Sequence, residues 1–238
     1  MRNVIVIGAS SGIGRELAVK YLEIGDTVFV GARRTELLRE LHLKYHDNSE
    51  YFYIDIADNQ NASKILSDIF KQIKGVDLVL LCAGTGELNS ELSFEAEKTT
   101  IDTNVTGFTF VVDACFNYFK RQGFGHLVVL TSIAGLRGSA AAPGYNASKA
   151  FQINYLEGLR IKARKEHLPI FLTDVRPGFV DTAMAKGEGL IFVAPVAKAA
   201  KQIMDAIEKR KARVYVTKRW SILAWLFRSL PFSIYSKL

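Results

Sequence analysis

Val4-Ile5-Val6-Ile7-Gly8-Ala9-Ser10-Ser11-Gly12-Ile13-Gly14 lies at the start of the chain. Continuous apolar β-formers run into a glycine turn, and beyond it Ile13, Leu17, Tyr21 and Ile24 recur at helical spacing. In that order, strand, glycine turn and helix make a dinucleotide site. Glycines let the backbone turn tightly and approach a pyrophosphate, while the free N–H groups and dipole of the helix start favour its charge. A glycine-rich segment alone would be weak; the strand–turn–helix context carries the reading.

The alternation continues outward. Apolar runs at 4–7, 27–30, 51–54, 78–81, 126–130, 170–175 and 214–216 read as strands. Helical patterns at 13–24, 35–46, 59–73, 100–120, 145–165 and 195–209 lie between them. Most strand runs are apolar throughout, as in strands covered on both faces. The expected fold is α/β: one Rossmann-type, doubly wound, mostly parallel sheet of about seven strands with helices on both faces. Residues 1–218 form the expected nucleotide-binding catalytic domain, and residues 219–238 a basic, aromatic C-terminal extension of it.

Composition narrows the class. With 238 residues, 49% of them hydrophobic and 23% charged, the chain is neither disordered nor fibrous. Its two cysteines, Cys82 and Cys115, sit in apolar runs, which suits buried thiols in a reducing compartment and excludes a disulfide framework. The four histidines show no ligand grouping, so no metal is expected. The N-terminal apolar run is too short for a signal peptide, and no stretch reaches the length of a membrane span. The expected location is cytoplasmic. The net charge of +7 is uneven: residues 198–238 balance at +8 and the rest at −1. A basic tail suits an anionic surface.

The glycine spacing is G-x-x-x-G-x-G rather than G-x-G-x-x-G. From residue 3 to about residue 218 the chain resembles the short-chain dehydrogenase/reductase family. The resemblance implies that Gly8, Ser10, Ser11, Gly12, Ile13 and Gly14 hold a nicotinamide dinucleotide. After the second strand stands Gly31-Ala32-Arg33-Arg34, with alanine where an NAD-preferring site carries an acid. Guanidinium groups bind phosphate through paired hydrogen bonds, so Arg33 and Arg34 point to NADP(H) over NAD(H). By resemblance, Asp55 and Ile56 meet the adenine. Cys82-Ala83-Gly84 stands for a family N-N-A-G segment and offers its backbone, with both asparagines lost. Pro177, Gly178, Val180 and Thr182, in Arg176-Pro177-Gly178-Phe179-Val180-Asp181-Thr182, border the nicotinamide.

Tyr145-Asn146-Ala147-Ser148-Lys149 sets a phenol and an ammonium on one helix face. A cation nearby favours the phenolate and lowers the phenol from its ordinary value of about 10, making it a usable acid or base. Ser132 lies just past the fifth strand, where parallel sheets bind ligands, and suits a substrate carbonyl. By resemblance Asn104 completes the set, holding a water in a proton relay with Lys149. Ser132, Tyr145, Ala142 and Met184 are the expected substrate contacts. Arg137 and Lys186 are candidates for an anionic substrate part, with surface charge the plainer role, and Gly187 and Gly189 suit a lid near Leu190, Ile191 and Phe192.

The implied activity is NADPH-dependent reduction of a hydrophobic ketone or aldehyde to an alcohol, with tyrosine as proton donor. Two alternatives stay open: a reductase of 3-oxoacyl chains on an acidic carrier, and an NADP-binding regulator or scaffold without turnover. The resemblance implies a homodimer or homotetramer built on the long helices. The apolar segment 220–232, with its basic neighbours, suits peripheral membrane contact through residues 209–235, or else packing on its own domain, a lid or a dimer partner. No nucleic-acid partner is expected, because no binding fold surrounds the cations.

Overall fold

The alternation of side chains along the first strand explains the layering. Val4 and Val6 bury against one helical layer and Ile5 and Ile7 against the other, all fully enclosed. A strand covered on both faces needs apolar residues at every position, hence the continuous runs. The computed structural model describes residues 1–185 and 192–237. Its elements run β1 (Asn3–Ile7), α1 (Gly12–Glu23), β2 (Thr27–Ala32), α2 (Thr35–Lys44), β3 (Ser49–Tyr53), α3 (Asn59–Gln72), β4 (Leu78–Leu81) and α4 (Phe94–Ile101). A π-helical stretch (Asp102–Gly107) leads into α5 (Phe108–Gln122) and β5 (Gly125–Leu130). A short 3-10 turn (Ile133–Leu136), α6 (Pro143–Lys165), β6 (Ile170–Pro177), α7 (Val196–Glu208), β7 (Arg213–Val216), α8 (Trp220–Ser229) and α9 (Phe232–Tyr235) complete the described chain.

The seven strands form one sheet in the order β3-β2-β1-β4-β5-β6-β7, parallel at every pairing. From β1 the chain winds outward through β2 and β3, then returns to place β4 on the other side of β1. That reversal leaves a crevice beyond the C-terminal ends of β1 and β4, where open α/β sheets bind ligands. One core joins the sheet to α1, α2 and α7, with Leu17, Tyr21, Leu38 and Ile203 at its centre. The other joins it to α3, α5 and α6 through Leu66, Val112, Phe116 and Leu156. Cys115 lies in this second core, and burial pushes its thiol up to about 12.

The structure departs from the sequence reading in places. The helix expected over 100–120 is three pieces: α4 starts at Phe94, the π-helical stretch interrupts it, and α5 follows. Helix α6 starts at Pro143 rather than at residue 145, its fixed φ suiting the first turn. Among the described residues no helix is long and apolar enough to cross a membrane. The expected lid residues Gly187, Gly189, Leu190 and Ile191, and the candidate anion contact Lys186, lie outside the described residues.

A buried ion pair ties the last strands together below the crevice. Arg176 Nε donates to Asp174 Oδ2 at 2.7 Å, and Thr131 Oγ1 donates to Asp174 Oδ1 at 2.6 Å. Arg176 Nη1 reaches Tyr215 Oη at 3.1 Å. Both charged side chains are enclosed. Asp174→Ala strands the guanidinium in the interior and is expected to cost about 3–5 kcal/mol in urea unfolding. The paired change Asp174→Leu with Arg176→Met should recover most of that loss.

Candidate functional site

The glycine turn follows β1 directly into the crevice. Gly8 has φ +95°, and a Cβ there would lie 2.7 Å from the carbonyl carbon of Cys82. Only glycine lets the turn pass this close to the end of β4. A Cβ on Gly14 would lie 3.0 Å from Cys82 Cβ. The N–H groups of Cys82 and Ala83 both donate to Ile7 O, at 2.7 and 2.9 Å. The backbone thus ties β1 to β4 where the sequence lacks the family asparagine. Burial pushes the Cys82 thiol up to about 12, so it lies in the crevice floor as a neutral group.

Ser11 stands at the N-cap of α1 but makes no cap bond there. Its hydroxyl instead accepts from Arg34 Nη2 at 2.7 Å, and Ser10 accepts from the same nitrogen at 2.9 Å. The first N–H groups of α1 therefore keep no side-chain partner, which suits an anion. Arg33 and Arg34 are exposed, and among the described residues neither pairs with a carboxylate. Uncapped helix donors beside two guanidiniums without a carboxylate partner, one of them held by Ser10 and Ser11, are a donor set that fits a phosphorylated dinucleotide. Asp55 and Ile56 follow β3, with Asp55 Oδ1 accepting from Ala57 N at 3.1 Å. Thr182 Cγ2 would lie 3.2 Å from a Cβ on Gly12, so the segment after β6 closes over the glycine turn. In that segment Val180 is buried and pairs with Ala194, and Pro177 and Gly178 precede it at the end of β6.

Ser132, Tyr145, Lys149 and Asn104 meet where β5 ends. Ser132 Oγ accepts from Ala134 N at 3.0 Å, so its proton stays free to donate. The hydroxyl stands beside the Tyr145 phenol. The Tyr145 ring rests on Gly86, where a Cβ would lie 2.7 Å from Cε2. Lys149 is enclosed, and its Nζ donates to Leu130 O at 3.2 Å and to Gln152 Oε1 at 3.0 Å. Gly84 faces this ammonium: a Cβ there would lie 3.3 Å from both Nζ and Asn104 Oδ1. Burial pushes Lys149 down to about 8, against the pull of Asp174 and Cys82.

The expected effect of Lys149 on Tyr145 is reversed by burial. The ammonium stands 5.8 Å from the ring centroid. Desolvation is the larger influence and pushes the phenol above its ordinary value, with the Ser132 hydroxyl pulling the other way.

Asn104 sits in the π-helical stretch with its amide fully used. Oδ1 accepts from Thr85 N at 3.0 Å, and Nδ2 donates to Thr85 O at 2.6 Å and Ser148 Oγ at 3.1 Å. The widened turn leaves its backbone carbonyl to a side chain: Gln152 Nε2 donates to Asn104 O at 2.9 Å. One amide therefore bridges Asn104 and Lys149, the place where the family resemblance set a water. Gln152 was not among the residues singled out from sequence. It lies three residues past Lys149, on the same side of the helix, which is the signal that could have found it.

On the substrate side, Ala142 is buried at the start of α6, while Met184 is exposed. Asn146 Nδ2 donates to Ala134 O and Arg137 O, both at 2.8 Å, and holds the loop after Ser132 onto α6. Arg137 is not free for an anionic substrate. Its Nη1 donates to Phe227 O at 3.0 Å and Leu230 O at 2.9 Å, capping the C-terminus of α8.

Gln152→Leu leaves Asn104 O without its donor and Lys149 with one acceptor, at an expected cost of about 1–3 kcal/mol in urea unfolding. Losing an acceptor disfavours the ammonium, so Lys149 should titrate below its value of about 8. Because Lys149 is depressed on folding, the protein bears the full cost of the buried cation below pH 8. Stability gains from this group as pH rises from 8 toward 10.5, and the variant should start that rise earlier.

The comparisons agree with this geometry. The family described as short chain dehydrogenase matches residues 2–189. An uncharacterized oxidoreductase of Mycobacterium tuberculosis is 31% identical over 241 residues, covering 97% of this chain and 94% of the relative. The crystal structure of a short-chain dehydrogenase from Streptomyces avermitilis superposes with a TM-score of 0.80 at 27% identity, covering 90% of this chain and 88% of that one. A short chain dehydrogenase/reductase from Burkholderia phymatum, in complex with NAD, has the same fold, with a TM-score of 0.86 at 18% identity over 95% and 92% of the two chains. A parallel sheet with its glycine turn at the β1/β4 crevice, and a serine, a tyrosine and a lysine gathered at the end of β5, thus belong to a chain of the short-chain dehydrogenase family of oxidoreductases.

Proposed function

We infer that the protein reduces a hydrophobic ketone or aldehyde to an alcohol with NADPH. The observation that carries this reading is the half-buried Tyr145 phenol beside the Ser132 hydroxyl. The phenol is held above its ordinary value and so is protonated at neutral pH, the form from which a proton can pass to a carbonyl oxygen, while the Ser132 hydroxyl pulls its value back down. Ser132, whose acceptor side is taken by Ala134 N, donates to the substrate carbonyl oxygen. Tyr145 Oη delivers the proton to that oxygen. Lys149, with two of its three protons committed to Leu130 O and Gln152 Oε1, offers the third to ribose hydroxyls. Bound in the crevice, the reduced nicotinamide supplies the hydride that reduces the carbonyl carbon.

The preference for NADPH rests on Arg33 and Arg34. They stand after β2, where an acid would repel the 2′-phosphate, and Arg34 is already anchored over the turn by Ser10 and Ser11. The α1 N-terminus and Gly8, Gly12 and Gly14 take the pyrophosphate, Asp55 and Ile56 the adenine, and the backbone of Cys82, Ala83 and Gly84 the central part. Pro177, Gly178, Val180 and Thr182 border the nicotinamide. Ala142 and Met184 favour an apolar substrate. Exposed Phe151 and Ile161 on α6 suit assembly as a dimer or tetramer through the long helices.

Tyr145→Phe is expected to lower carbonyl reduction by about a hundred- to ten-thousandfold while leaving the NADPH dissociation constant nearly unchanged. Loss of NADPH binding in that variant would make Tyr145 structural. Replacing Arg33 and Arg34 together by alanine should weaken NADPH by at least about tenfold and NADH far less, read by fluorescence titration. Equal weakening of both would remove the phosphate role.

A further inference from the structure

Helix α8 divides its side chains between two environments. Trp220 and Ala224 are buried, and Trp220 packs edge-on against Phe179 and Phe192. Ile222, Trp225 and Leu226 face outward, with Trp225 at 69% exposure, and Phe232 and Ile234 of the following α9 are exposed as well. Leaving aromatic and aliphatic groups in water is unfavourable in proportion to their area, so a run of this kind marks a contact.

Charge decides which contact. Lys218 and Arg219 directly precede α8, Arg228 lies in its last turn and Lys237 follows α9, all exposed, and residues 217–237 contain no Asp or Glu. The cluster Lys209–Arg213 lies at the other end of β7 and is not part of it. A second copy docked face to face would set these cations against their own kind. A surface that is both apolar and negative answers both features, and tryptophan beside cations is the composition of a helix lying in an anionic headgroup region.

The face is joined to the loop beyond Ser132. Arg137, five residues past Ser132, donates to Phe227 O and Leu230 O and stacks on Tyr235, its guanidinium carbon 4.4 Å from the ring centroid. Tyr235 Oη donates to Gly138 O at 2.8 Å. Trp220 fills the space above Gly178, which leads into the segment closing over the glycine turn.

We propose that α8 and α9 dock the protein on an anionic bilayer and thereby turn the substrate side of Ser132 and Tyr145 toward lipid, so that the carbonyl compound enters from the membrane. The docking stands on α8 and α9 alone; the route of the substrate rests on the reductase reading above.

Flotation of the full chain with phosphatidylcholine vesicles, with and without phosphatidylglycerol, tests it. The expected result is binding that needs the anionic lipid, weakens by about tenfold or more in the paired variant Lys218→Ala, Arg219→Ala, and is lost in Ile222→Ser with Trp225→Glu. Both pairs are exposed, and an unchanged circular dichroism spectrum shows that the variants fold. No binding to anionic vesicles, or binding that survives the Trp225 change, overturns the docking. So does a dimer that Trp225→Glu dissociates in the absence of vesicle binding. Tyr145→Phe should float like the parent, which separates docking from chemistry. In turnover, Trp225→Glu should lower kcat/KM for a long-chain aldehyde carried in anionic vesicles and spare a short, water-soluble one. An equal loss for both overturns the lipid route.

Discussion

A lysine ammonium held out of water is the constraint on which the site depends. Lys149 is enclosed, and among the described residues no carboxylate pairs with it. A buried ion is costly unless dipoles replace its water. Here the replacements come from three separate elements: the last carbonyl of β5, an amide one turn along α6, and, through that amide, the carbonyl freed by the π-helical stretch. Each element must be in register for the cation to be tolerated. Two acceptors still leave one ammonium proton uncommitted, beside a glycine that keeps that side open. The fold thus carries a polar group whose best partner is a ligand, and ligand binding should add to its stability.

How much of this can be read from residues alone follows from what each signal encodes. The central strands are legible because burial on both faces demands unbroken apolar runs, whereas the edge strands β3 and β7 are partly exposed and carry Glu50 and Arg213; the glycine turn is legible because its φ values and close approaches exclude a side chain. The start of α4 is not: Phe94-Glu95-Ala96-Glu97-Lys98-Thr99-Thr100-Ile101 is mostly polar and exposed, so no stripe announces it. The π-helical stretch has no sequence period of its own. Gln152 reads as an ordinary polar position on an amphipathic helix, since only the fold shows that α6 turns this face inward.

Environment is the other thing a motif hides. Tyr-x-x-x-Lys states that a phenol and an ammonium are neighbours, and proximity alone argues for a lowered phenol. It does not state that the ammonium is enclosed and the phenol half-buried, and desolvation works on the phenol and the ammonium in opposite directions. The outcome is a phenol that stays protonated at neutral pH beside an ammonium that gives up its proton more readily than a free lysine.

The substrate side obeys a different logic from the cofactor side. The residues read as cofactor contacts sit at strand ends and a helix start, positions set by the sheet itself, which is why they follow a spacing rule. The loop beyond Ser132 has no such frame. It is held between Asn146 on α6 and the C-terminus of α8, with Arg137 as the fastener on the outer side. Its shape therefore depends on residues some 90 positions away in the chain. A guanidinium capping a helix C-terminus joins two elements that neither hold a cofactor nor belong to the sheet. Where such a fastener replaces a frame, substrate preference can change with the tail while the Ser132, Tyr145 and Lys149 geometry stays fixed.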